Sequence, residues 1–196
     1  MEHRAAEVED APHATWWTYA GIDQTFDSSR INPTADLLGV LHDYAELVPA
    51  DLPAQLTSTV LERLEAAADD LNAFRCAVML GAARRLPEQV RARVAGVLAA
   101  GVHRVVNVDP AAWPRYVLQP LDVAPSPRST LAGVIDRTAI DANLDYWING
   151  LPADGAWPLT WSWADSDEMA WRQAELDGKG HQIVERLTVL REYGRI

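Results

Sequence analysis

The sequence predicts an all-α protein, and three observations carry that prediction. Apolar residues recur at three- and four-residue spacing through most of the chain, which stacks side chains along one face of a helix. Helix-start signals (Asn32-Pro33, Asp69-Asp70, Pro87) fall where those patterns begin. No strand-rich region and no alternation of strands with helices competes with them.

The elements follow in order. Residues 1–11 are polar and are expected to form a mobile segment ahead of a single domain over 12–196. Trp16, Trp17 and Tyr19 crowd together before a polar loop from Asp23 to Ile31. Asn32-Pro33 then starts a helix, with Asn32 as N-cap and Pro33 in the first helical position, and Leu37, Leu38, Leu41 and Tyr44 share one face. Pro49 and Pro53 punctuate the chain before a second amphipathic helix with Leu52, Leu56, Val60, Leu61 and Leu64. Asp69-Asp70 caps a third, whose Leu71, Phe74, Ala77 and Val78 face a core. Pro87 opens a fourth, carrying Val90, Val94, Val97, Leu98 and Val105.

The rhythm changes at Asp109. Pro110, Pro114, Pro120, Pro125 and Pro127 each lack an amide donor and restrain the residue before them, which predicts an ordered loop or short extended pieces. Ser129-Thr130 is placed to cap a short helix through Ile135. A longer helix is expected over Asp136 to Asn149, with Ile140, Leu144, Trp147 and Ile148 on its buried stripe. Asp165 to Leu176 and His181 to Tyr193 read as two more helices, broken or kinked at Gly178 and Gly180. The total is about seven helices, mostly in antiparallel pairs joined by short turns.

Composition narrows the function. The 196 residues suffice for one domain with a core, and 48% hydrophobic with 23% charged residues fits a globular protein. A net charge of −11 argues against nucleic acid and anionic membranes as partners, because phosphates are repelled at long range. No apolar signal region and no membrane-length run is visible, so a cytoplasmic location is expected. Cys76 is the lone cysteine, which excludes an intramolecular disulfide and cannot by itself supply a thiolate zinc site. No metal and no cofactor is expected.

Five of the eight tryptophans lie between Tyr146 and Trp171, around Pro152-Ala153-Asp154-Gly155-Ala156-Trp157-Pro158. Such a cluster either staples a core or lines an apolar pocket. Trp157, Trp161 and Trp163 fall on odd positions, one side of an extended segment, and Asp154-Gly155 marks a tight turn.

These features carry a resemblance. Paired helices with Asp154-Gly155-Ala156-Trp157-Pro158 between two of them resemble the α/α-toroid superfamily of terpenoid cyclases and protein prenyltransferases. Tyr146, Gly155 and Trp157 match the repeated motif of triterpene cyclases, although Leu151 stands near its expected glutamine. The chain is more broadly similar to a group of bacterial squalene cyclase-like proteins. That likeness runs in order through His13-Ala14-Thr15-Trp16-Trp17, Asn32-Pro33-Thr34-Ala35, Val123-Ala124-Pro125-Ser126-Pro127, Asp154 to Pro158 and Leu190 to Ile196. The resemblance implies a partial or complete α/α toroid. It also implies that helices usually found ahead of the His-x-x-Trp-Trp segment are missing, so that a second copy or another protein completes the barrel.

The chemistry of the superfamily does not transfer with the fold. The nearest approach to the Asp-x-Asp-Asp acid is Ala67-Ala68-Asp69-Asp70, which lacks the first Asp. Asp69-Asp70-Leu71-Asn72-Ala73 lacks the last carboxylate of the magnesium-binding Asp-Asp-x-x-Asp, and Cys76 lacks the partners of a catalytic zinc site.

The candidate acids are Asp122, His13 and Asp109. His13 adjoins an aromatic wall; Asp109 and Asp122 lie in loops, and Asp122 sits between apolar neighbours that would raise its pKa. Trp16, Trp17, Trp113, Tyr116, Trp157, Trp161 and Trp163 are the candidate substrate-binding residues. Asp141 and Asp145, one turn apart, offer two carboxylates to a cation or, more simply, a solvated face. Two functions of different class remain. One is an enzyme acting on an apolar, isoprenoid-like small molecule by acid–base and cation-stabilising chemistry. The other is a non-catalytic binding or assembly module that keeps the toroid.

Overall fold

The computed structural model describes residues 31–67 and 69–196. Within them lie α1 (Thr34–Asp43), α2 (Asp51–Ala66), α3 (Leu71–Ala82), α4 (Glu88–Val105), α5 (Pro120–Val123), α6 (Arg137–Asn149) and α7 (Glu168–Glu192). Two 3-10 turns, Ala45–Leu47 and Pro110–Ala112, complete the regular structure. The expected all-α class is found, with seven α-helices and no strand among the described residues. An isolated bridge joins Val106 to Leu118, where the Asn107 N–H donates to the Leu118 carbonyl at 2.8 Å.

Helices α1 to α4 form the first half of the core. α3 lies against α1 and α4, and α2 against α1 and α4. Leu38, Leu61, Leu64, Phe74, Leu80, Val94 and Leu98 fill the space between them. Asp70 caps α3 as its sequence predicts, its Oδ1 accepting the Ala73 N–H at 2.7 Å. Leu71 and Val78 pack only half-buried at the edge of that core. At α1 the cap position belongs to Pro33 and not Asn32, and no side chain caps the helix.

The second half is built from the proline loop, α5, α6 and α7. Asp136 caps α6 through Oδ1, which accepts the Thr138 N–H at 2.8 Å. The buried stripe of α6 holds Ile140, Leu144 and Trp147 but takes Asn143 in place of Ile148, which is exposed. α7 closes over this unit: the Tyr193 hydroxyl donates to the Ala124 carbonyl at 2.8 Å, and Arg128 pairs with Glu192.

Two expected features are absent. Residues 129–135 make successive turns and not a short helix, because the Ser129 hydroxyl accepts the N–H of Ser126 behind it and so does not cap forward. The expected break at Gly178 and Gly180 is replaced by one continuous α7 of 25 residues. Gly178 serves close approach: a Cβ there would lie 2.9 Å from Leu159 Cδ1. The helical cost of each glycine, about 1 kcal/mol, is outweighed by the burial of Trp171, Val189 and Leu190. No helix among the described residues is long and apolar enough to cross a membrane.

Candidate functional site

Prolines hold the loop between α4 and α6 in a shape that carries polar groups into the core. Asp109 precedes Pro110 and caps the 3-10 turn, its Oδ1 accepting the Ala111 N–H at 3.0 Å. Asp109 is exposed, so its local duty is a cap. Gln119 precedes Pro120, which starts α5 without needing an amide donor. Gln119 Oε1 accepts from both Asn143 Nδ2 and Trp147 Nε1 at 2.8 Å, and its Nε2 donates to the Trp113 carbonyl at 3.3 Å. Asn143 Oδ1 in turn accepts the Leu121 N–H at 3.0 Å. A buried polar network therefore locks α5 to α6. It is stable because every group in it finds a partner.

Asp122 belongs to the same turn. Its Oδ2 accepts the Gln119 N–H at 2.8 Å, one half of a capping box. Turn chemistry thus explains this carboxylate better than its sequence neighbours foretold. Asp122 is exposed to solvent, yet burial pushes its pKa up, against the pull of the Gln119 N–H, Arg75 and Arg186, while Glu185 adds to the rise.

The expected aromatic wall divides into packed groups. Trp113 is fully buried, its Nε1–H donating to the Asn107 carbonyl at 2.8 Å and its ring meeting Tyr146 edge-on at 5.1 Å. Trp157 is buried and donates to the Trp147 carbonyl at 2.7 Å. The Arg186 guanidinium lies over Trp147 at 4.8 Å and Trp157 at 5.2 Å. Trp161 and Trp163 share a side, as their odd spacing predicts, and both meet Trp171 edge-on at 5.1 and 5.3 Å. Trp157 does not share that side: it follows the Asp154–Gly155 turn, where the glycine has φ of 78°, and joins Trp147 and Arg186 instead. Tyr116 is half exposed under Arg75, 6.0 Å from its ring. His13, Trp16 and Trp17 lie outside the described residues.

Other candidates have plain local roles. Asp141 pairs with Arg137 at 3.0 Å and Asp145 with Arg195, both on the solvent side of α6. No set of three metal-ligating side chains forms among the described residues. His103 is exposed, and His181 lies within α7, pairing with Glu185 at 3.2 Å. His42 is half-buried at 3.3 Å from Thr57 Oγ1, which gives its only proton to the Pro53 carbonyl; His42 Nε2–H is therefore the donor. Burial lowers its pKa, against a raising influence from Asp43. His42 and Thr57 border an open groove of about 510 Å³ between α1, α2 and the start of α4, which no tryptophan lines.

Gln119, Asn143 and Arg186 escaped the sequence reading. Asn143 had a signal, since it lies on the same stripe as Ile140 and Trp147. Gln119 and Arg186 had none, because their partners are remote in sequence. Comparison with protein-family models, with curated proteins and with solved structures found no match to this chain.

Proposed function

We propose that this chain is a non-catalytic binding module built on the α/α-toroid plan its sequence resembles, with its ligand held near Asp122 and not on a tryptophan wall. The carrying observation is the state of Trp113, Trp147 and Trp157, which are buried and whose ring N–H groups are all engaged by protein acceptors. Side chains so fixed hold the core together, and they leave little aromatic face for a cation formed during a cyclisation. The side-by-side packing of alternate helices, α1 with α3 and α2 with α4, supports the toroid plan, which a second copy of the chain would complete.

The enzymatic reading keeps one observation in its favour: Asp122 combines solvent access with a raised pKa, the setting of a general acid. Native mass spectrometry of the purified protein, followed by incubation with linear isoprenoids, separates the two. A retained small molecule with no conversion supports the module, and the same spectrum reads the subunit count. Conversion that Asp122→Asn abolishes would replace it with the enzyme.

A further inference from the structure

Helix α7 has one apolar face on the protein and a second in solvent. Trp171, Arg186, Val189 and Leu190 are buried, and Gly178 lies against Leu159. The opposite face carries Met169, Leu176, Val184 and Leu187, which are 83%, 65%, 67% and 41% exposed. At 3.6 residues per turn these four fall within an arc of about 80° and run about 27 Å along the helix. Arg191 continues the same arc one turn beyond Leu187. A lone exposed leucine is ordinary, but an aligned set along one helix face is a contact strip.

The two ends of the strip differ in charge. Asp165 and Asp167 precede α7, and Glu168 lies in its first turn. Asp167 caps the helix and Glu168 pairs with Arg172, but Asp165 is exposed and makes no ion pair among the described residues. At the other end Arg191 is likewise exposed and without an ion pair among them. Turned end for end, such a strip complements itself. With Met169 level with Leu187 of a second copy, the two-fold axis falls at position 178. The two Leu176 side chains then lie about 6 Å apart in level across that axis, and Arg191 reaches the level of the turn that holds Asp165. One register therefore matches the apolar residues and brings the arginine to the carboxylate. A parallel pair would instead set Arg191 beside Arg191 and Asp165 beside Asp165, and would align the two helix dipoles unfavourably.

We propose that the solvent face of α7 is a homodimer interface, in which two copies pair antiparallel with Leu176 at the centre and Arg191 against the partner's acidic turn at each end. A contact confined to one helix face is at the small end of specific interfaces, which fits a reversible dimer. Pairing through α7 does not depend on what the module binds. A failure of ligand binding leaves the dimer standing, and a failure to dimerise leaves the ligand reading untouched.

Sedimentation equilibrium of the full chain tests this, from about 1 to about 300 μM, where a dimer of modest affinity dissociates. In about 0.15 M sodium chloride the Debye length is about 8 Å, so the net charge of −11 on each copy is largely screened. The wild type is expected to pass from monomer to dimer across that range. Leu176→Glu sets two like charges across the axis and should weaken the dimer by about tenfold or more. Arg191→Glu should weaken it less, and adding Asp165→Lys to that variant should restore it, because the exchanged charges again meet. All three positions are exposed, and circular dichroism checks that each variant keeps its helices. A wild type that stays monomeric throughout overturns the proposal, as does a dimer undiminished by Leu176→Glu. A double variant no stronger than Arg191→Glu alone overturns the antiparallel register.

Discussion

Replacing Trp157 by alanine tests the claim that the tryptophan loop is a staple. The side chain is 3% exposed, so nearly all of its surface leaves water on folding. Truncating a buried aromatic to alanine costs about 3–5 kcal/mol, including the cavity left behind. Two features place this site towards the upper half of that range. The Trp147 carbonyl loses its 2.7 Å donor, and Arg186 loses one of two rings under a buried charge. For a chain of this size each kcal/mol moves the melting temperature by about 2–4 °C, so a loss of about 4–5 kcal/mol gives an expected fall of about 8–20 °C. Trp157→Phe keeps most of the ring and loses the N–H, and should cost about 1–2 kcal/mol. Urea unfolding followed by far-ultraviolet circular dichroism is the assay, since fluorescence changes with the substitution itself. A loss below about 1 kcal/mol in the alanine variant would refute the packing argument and return Trp157 to the ligand site.

Other perturbations have equally definite signs. Gln119→Leu strips the acceptor shared by Asn143 and Trp147 and the donor to Trp113, and should destabilise by about 2–4 kcal/mol in urea unfolding; a neutral result would show the network to be dispensable. Asp122→Asn should be more stable than wild type at neutral pH. The folded-state pKa of Asp122 lies above its ordinary 3.8, so its contribution to stability is present below that value and is lost as pH rises through the raised pKa. The advantage of the asparagine should therefore shrink towards pH 3.8, and melting curves across that range would expose a wrong sign. Gly180→Ala should stabilise by about 0.5–1 kcal/mol, because α7 is continuous there and nothing lies within 4 Å of an added Cβ. Thermal destabilisation would mean the helix is broken at that point after all.

Much of the helical framework is legible in the chain because its signals are local. Asp70 and Asp136 cap the helices they precede through their own side chains, and apolar spacing identifies most of the buried positions of α2 and α4 but only Phe74 and Ala77 among those of α3. Local rules failed where a distant segment decided the outcome. Gly178 reads as a break until Leu159 is seen against it, and Ser129 reads as a cap until its hydroxyl is seen turned back to Ser126.

The candidate site divides along the same line. Residue types and spacing, by themselves, determined an all-α chain, the proline loop, the tryptophan-rich joint and the candidacy of Asp122. Tertiary structure alone decided that Asp122 caps the turn into α5, that Trp113 and Trp157 are core, and that Arg186 lies over two tryptophan rings. The physical reason is range. Helix periodicity and capping act over three or four residues, whereas the contacts of Arg186 with Trp147 and Trp157 join residues tens of positions apart. Such contacts exist only once the chain has folded and desolvated them.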